Sequence, residues 1–205
     1  MNAHTQHLTV AGPGGAIECA VDAPAGAARG VAVVCHPHPQ HGGTMTNKVV
    51  QTLARAFTQL GRTAVRFNFR GVGASQGAWA GGPGEIDDAL AVAGALRTAG
   101  QPLWLAGFSF GGYVAAHVAA RLAEAGAPAE QLVLVGPAAS RFDMPPVPAD
   151  TLVIHGEADD VVPLAAVLDW ARPQSLPVTV IPGAGHFFHG QLPLLKSLVV
   201  RGHPS

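Results

Sequence analysis

Apolar runs that recur along the chain, most of them parted by segments of helical character, limit the fold more than any other feature. The runs fall at 30–35, 63–69, 103–106, 131–135, 151–155 and 178–181. Val31-Ala32-Val33-Val34-Cys35 shows no polar alternation, the pattern of a strand buried on both faces. Helix-like segments lie at 48–60, 85–99, behind Ser109, near 164–171 and near 190–200. Strands and helices in this order imply βαβ units, and therefore a mostly parallel sheet with helices on both faces. Two shorter runs at 7–10 and 16–21 flank Gly12-Pro13-Gly14-Gly15, which predicts an N-terminal β-hairpin. Sheets of this kind bind ligands beyond the carboxyl ends of their strands, so the residues just after each run are the ones to search for chemistry.

One such place is Leu103-Trp104-Leu105-Ala106-Gly107-Phe108-Ser109-Phe110-Gly111-Gly112-Tyr113. It reads as a strand, a sharp turn with a serine at its tip, and an alanine-rich helix, with the G-x-S-x-G spacing of a nucleophile elbow. Glycines are needed on both sides because a side chain there would meet the adjoining strand or helix. The helix start also aims free amides and a positive dipole end at Ser109. Gly73-Ala74-Ser75-Gln76-Gly77 matches the same spacing in a chain of 26 glycines. Ser75, however, lies in a glycine-rich loop with no helix directly behind it, so context selects Ser109.

A serine hydroxyl is a weak nucleophile and needs a base, which needs an orienting acid. Acid candidates follow the run 151–155, in Gly156-Glu157-Ala158-Asp159-Asp160-Val161-Val162-Pro163. Histidine candidates follow the run 178–181, in Gly185-His186-Phe187-Phe188-His189. Spacing favours Asp159 over Asp160. His186 and His189 are the rivals for the base, with His189 expected in the first turn of the last helix.

With these motifs in order, the chain resembles the α/β-hydrolase superfamily from about Gly30 to the final helix. The acid loop is similar to the family's G-x-x-D-x-x-V-P, Gly185-His186 to its G-H histidine, and Arg70-Gly71-Val72-Gly73-Ala74-Ser75-Gln76-Gly77 to its R-G-x-G-x-S-x-G loop. Cys35-His36-Pro37-His38-Pro39-Gln40-His41-Gly42-Gly43-Thr44-Met45 looks like small, lidless bacterial hydrolases near the dienelactone-hydrolase group. Those relatives often carry a cysteine nucleophile where this chain has Ser109. The resemblance implies a carboxylesterase-like serine hydrolase (EC 3.1.1 type) with a Ser109-Asp159-His186 triad, cleaving small acyl esters through an acyl-enzyme, with no cofactor and no metal. A thioesterase or acyl-transfer enzyme on the same triad, or a non-catalytic binding protein on this scaffold, are the alternatives.

An oxyanion hole needs two N–H donors. The Phe110 amide is one. The second should come from the loop after run 30–35, where Pro37 and Pro39 cannot donate and His38 can. His36, His38 and His41 also have the look of a metal-ligand set, though no carboxylate or cysteine cluster accompanies them. Residues 136–150, with four prolines, are too short for a helical cap domain, so an open site is expected. Its substrate-binding walls are expected to include His41, Phe108, Met144 and Phe187, with Trp79, Phe110 and Phe188 as further aromatic candidates.

The bulk properties agree. At 205 residues the chain suits a single domain over 1–205, with 1–4 and 202–205 frayed. A net charge of −1 without a basic run argues against nucleic acid as a partner. The first residues lack an apolar stretch and no segment reaches membrane-spanning length, so no membrane association and a cytoplasmic location are expected. Cys19 and Cys35 make no disulfide framework, and Cys35 is expected as a core residue. Nothing marks an interface, leaving monomer or homodimer open.

Overall fold

The computed structural model describes residues 5–203. Eight strands form one sheet: β1 (Gln6–Gly12), β2 (Gly15–Asp22), β3 (Val31–Cys35), β4 (Thr63–Phe67), β5 (Leu103–Phe108), β6 (Gln131–Val135), β7 (Leu152–Gly156) and β8 (Val178–Ile181). Their order is β1-β2-β4-β3-β5-β6-β7-β8. β1 and β2 form the expected antiparallel hairpin around Pro13-Gly14, β2 meets β4 antiparallel, and every later pairing is parallel. The helices are α1 (Lys48–Gln59), α2 (Pro83–Leu96), α3 (Phe110–Glu124), α4 (Leu164–Ala171) and α5 (Leu192–Arg201). No helix interrupts 136–151, so there is no cap domain.

Parity along the central strands separates two cores. Val31, Val33, Cys35, Leu103, Leu105, Leu132 and Leu134 face a layer built with α2, α3 and α4. Ala32, Val34, Trp104, Ala106, Phe108, Val133 and Val135 face the layer of α1 and α5. Burying both faces is what turns these strands into unbroken apolar runs. Cys19 and Cys35 are free, buried thiols, and burial pushes the Cys19 thiol up to about 12.

The sheet's antiparallel edge is braced by charge. Arg66 donates to Asp22 from both Nη2 (2.8 Å) and Nε (3.2 Å), and the pair is buried. Arg70 grips both carboxylate oxygens of Asp88 in α2, tying down the glycine-rich loop after β4. In that loop Ser75 is buried. Its Oγ donates to the Asn68 carbonyl (2.6 Å) and accepts from the Glu18 amide (2.9 Å), so the second G-x-S-x-G serine is a staple between the loop and β2.

Two expectations about the termini are adjusted. Residues 1–4 and 204–205 lie outside the described residues. His203, expected to fray, is buried: its ring packs 4.7 Å from that of Trp104 and its Nδ1–H donates to the Val199 carbonyl. The last helix starts at Leu192, leaving His189 in the exposed turn before it. No helix among the described residues is long and apolar enough to cross a membrane.

Candidate active site

The turn after β5 has the geometry its spacing called for. Ser109 holds φ 56° and ψ −119°, a left-handed conformation that costs a non-glycine residue on the order of 1–3 kcal/mol. Its surroundings enforce it. The Ser109 amide donates to the Val135 carbonyl, and the Ser109 carbonyl accepts from the Gly112 and Ala138 amides. A Cβ at Gly107 would collide with the Gly111 backbone, and one at Gly111 with the Cys35 carbonyl, so strand and helix close at this distance only with both glycines.

β7 and β8 deliver the other two groups to the same rim. Asp159 is buried in the loop after β7, where its Oδ1 accepts from the amides of Val161 (3.0 Å) and Val162 (2.7 Å). Its Oδ2 lies 2.7 Å from His186 Nδ1, and His186 Nε2 lies 3.0 Å from Ser109 Oγ. Burial pushes the Asp159 carboxyl up. The hydrogen bond from His186, the Val162 amide, the His186 charge and the Val161 amide together outweigh it and hold the group below the usual carboxylate range. An ionised carboxylate only accepts, so Nδ1 carries the imidazole proton and the Nε2 lone pair faces the serine hydroxyl. Asp160 is exposed and makes no such contact.

His155, inside the sheet at β7, braces this loop: its Nε2–H donates to the Val162 carbonyl (2.9 Å) and stands 3.5 Å from Asp159 Oδ2. Burial lowers its basicity against the opposing effects of the Val162 bond and the Asp159 charge. Its Nδ1 is buried without a partner.

The loop after β3 forms the opposite wall, with Pro39–His41 as one 3-10 turn. The His38 carbonyl accepts from the amides of His41 and Gly43, which turns it into its own loop. The amides of His38 and Phe110 have no acceptor among the described residues. The His38 ring accepts from the Gln40 amide and lies against His41, Trp79, Phe110 and Phe142. His36 is different. It is buried, its Nδ1–H donates to the Pro37 carbonyl (2.6 Å), and its Nε2 accepts from the Phe69 amide (3.0 Å). Both ring nitrogens are therefore occupied, and His36 buttresses the loop rather than offering a ligand atom to a metal.

The cavity over Ser109 measures about 350 Å³ and is lined by Pro37, His38, His41, Gly42, Gly43, Asn47, Ser109, Arg141, Val161, His186 and Phe187. His41 and Phe187 line this cavity, and Phe187 is 45% exposed at the rim. Phe108 and Met144 are not lining residues. Phe108 shares strand parity with Trp104 and Ala106, so it lies under the site, with its ring 4.9 Å from that of His186. Met144 is buried in the α2–α3–α4 core. Phe110, Trp79 and Phe188 are likewise packing residues, outside the lining. Asn47, Arg141 and Val161 went unread. Asn47 had a signal, since it caps α1 by accepting from the Val49 amide. Arg141 had none.

A capless, mostly parallel eight-stranded sheet with a strained serine after its central strand defines an α/β hydrolase. More narrowly, the chain belongs to the Hydrolase_4 family, described as serine aminopeptidase, S33, whose model matches residues 26–149. It is similar to XC6422 of Xanthomonas campestris, an α/β serine hydrolase without a lid, at 42% identity over 98% of this chain and 94% of that one, with a TM-score of 0.88. An α/β serine hydrolase homologue from Coxiella burnetii shows 41% identity over 97% of each chain and a TM-score of 0.85. The uncharacterised protein RP471 of Rickettsia prowazekii is 32% identical over 174 residues, 77% of this chain and 71% of the relative.

Proposed function

We propose that this serine hydrolase cleaves small carboxylic esters through an acyl-enzyme on Ser109. The observation that carries the reading is the unbroken hydrogen-bond chain Asp159–His186–Ser109 at 2.7 and 3.0 Å, opening into the cavity. Ser109 Oγ attacks the acyl carbonyl as His186 Nε2 takes its proton. Asp159 holds the imidazole and offsets the charge it gains, and the amides of Phe110 and His38 hold the oxyanion. His186 then gives the proton to the departing alkoxide, and the same cycle with water frees the acid.

Substrate size follows from the walls. A cavity of about 350 Å³ without a cap suits a short acyl group beside an open rim. The peptidase description attached to the family finds less support: an aminopeptidase must receive a substrate ammonium, and no residue lining the cavity bears a carboxylate to pair with one. A thioester, differing only in its leaving group, uses the same machinery.

The test is hydrolysis of p-nitrophenyl esters of increasing acyl length by wild type, Ser109→Ala and Ser75→Ala. Turnover that disappears only in Ser109→Ala, with a burst of one nitrophenolate per chain under acylating conditions, is the expected result. Turnover surviving Ser109→Ala overturns the mechanism.

A further inference from the structure

The cavity's rim carries a cation that the fold leaves unemployed. Five arginines are committed to carboxylates: Arg62 to Glu130, Arg66 to Asp22, Arg70 to Asp88, Arg121 to Asp87 and Arg172 to Asp169. Arg29, Arg55 and Arg97 donate to carbonyl or amide oxygens. Of the two arginines that remain, Arg141 and Arg201, neither side chain has an ion pair or a hydrogen bond among the described residues, and only Arg141 lines the cavity over Ser109. The Arg141 backbone is fixed by a bond from its amide to the Ala138 carbonyl, in the turn that also bonds to Ser109. The cation therefore stands on a segment pinned to the nucleophile.

The electrostatic surroundings agree with its position. The cavity is lined by His38, His41 and Arg141 and by no acidic residue. His38 is held below the ordinary histidine value first by burial, and the nearby charges of His41 and Arg141 act in the same direction. On the other side, Asn47 belongs to this cavity and to a second one bounded by Lys48, Val49, Thr44, Thr46 and His189. Asn47 is the cap of α1, so the positive end of that helix dipole opens between the two cavities.

We infer that the ester this site prefers carries a carboxylate, read by the Arg141 guanidinium while Ser109 attacks the ester carbonyl. This rests on the serine-hydrolase reading above. The planar fork of arginine matches a carboxylate through two parallel N–H···O bonds, a geometry that lysine lacks. The bonds made and broken are those of ester hydrolysis, and the substrate's carboxylate leaves unchanged.

The experiment compares matched pairs of nitrophenyl or phenyl esters. The p-nitrophenyl monoester of glutaric acid against p-nitrophenyl pentanoate places the charge on the acyl side. 4-Acetoxybenzoate against phenyl acetate places it on the leaving group. For each pair the ratio of kcat/KM, anionic over neutral, is measured in wild type, Arg141→Gln, Arg141→Lys and Arg141→Glu. A ratio above one in either pair, falling about 5-fold or more in Arg141→Gln, further in Arg141→Glu and less in Arg141→Lys, is expected for a partly exposed charge-assisted pair. The ratio should also fall as salt is raised. A residue that merely shaped the cavity would move both members of a pair together, so an unchanged ratio overturns the inference. So does an anionic preference that persists in Arg141→Glu. Failure of the underlying reading is recognised separately, because then the neutral esters are not turned over through Ser109 at all.

Discussion

Acid should weaken this protein through one buried imidazole. His36 has no exposed surface, and its two ring nitrogens are bound in the neutral form, Nδ1–H to the Pro37 carbonyl and Nε2 from the Phe69 amide. Burial lowers its basicity from 6.5 to about 4, against the opposing effect of the Pro37 bond. Above pH 6.5 neither the folded nor the unfolded chain binds the proton here, and below about pH 4 both do. Between those limits the unfolded chain binds more, so unfolding free energy falls as pH falls, by about 1.4 kcal/mol per unit at most. Over the interval this amounts to about 3 kcal/mol, a large part of the 5–15 kcal/mol typical of a domain. The assay is urea unfolding across this range for wild type and His36→Gln. Glutamine keeps an acceptor for the Phe69 amide but loses the bond to Pro37, so the variant should start about 1–2 kcal/mol less stable at neutral pH. It cannot titrate, so the two stability curves should converge on acidification and cross before about pH 4, where the variant becomes the more stable chain. Contributions from Asp159 and His155 are common to both chains and drop out of the difference. Curves that stay parallel down to about pH 4 would refute the assignment of a neutral, buried His36.

Two other perturbations probe the site directly. A Cβ at Gly43 would collide with the Pro37 carbonyl, so Gly43→Ala should displace the His38 amide and lower kcat by about 10²-fold, the effect of losing one oxyanion donor, with circular dichroism unchanged. Asp159→Asn places an amide against His186 Nδ1 and favours the wrong tautomer, so kcat should fall by about 10³- to 10⁴-fold, whereas Asp160→Asn should retain near wild-type turnover.

Much of this was legible because the sheet's interior leaves a plain signature. Strands buried on both faces read as unbroken apolar runs, and β3, β5 and β6 fall within a residue or two of the runs at 30–35, 103–106 and 131–135. The strand–glycine–serine–glycine–helix order at Ser109 was equally clear, because close backbone packing dictates those glycines. Which face a strand residue takes was not legible. A doubly buried run carries no alternation, so nothing in the sequence revealed that Phe108 shares its side with Trp104 and Ala106, beneath His186. The same gap left His36 and His38 looking like one cluster, although one is sealed behind the loop and the other lines the cavity. Segment 136–150 has neither helical nor strand periodicity, so its sequence does not distinguish Met144, which is buried in the core, from Arg141, which lines the cavity.

The most direct test of the central claim is intact-mass spectrometry after treatment with a fluorophosphonate, followed by peptide mapping. Stoichiometric addition of one phosphonyl group on Ser109 in wild type and in Ser75→Ala, with none in Ser109→Ala, is the expected result. Labelling on Ser75, or no labelling of a folded wild-type chain, would contradict an activated Ser109.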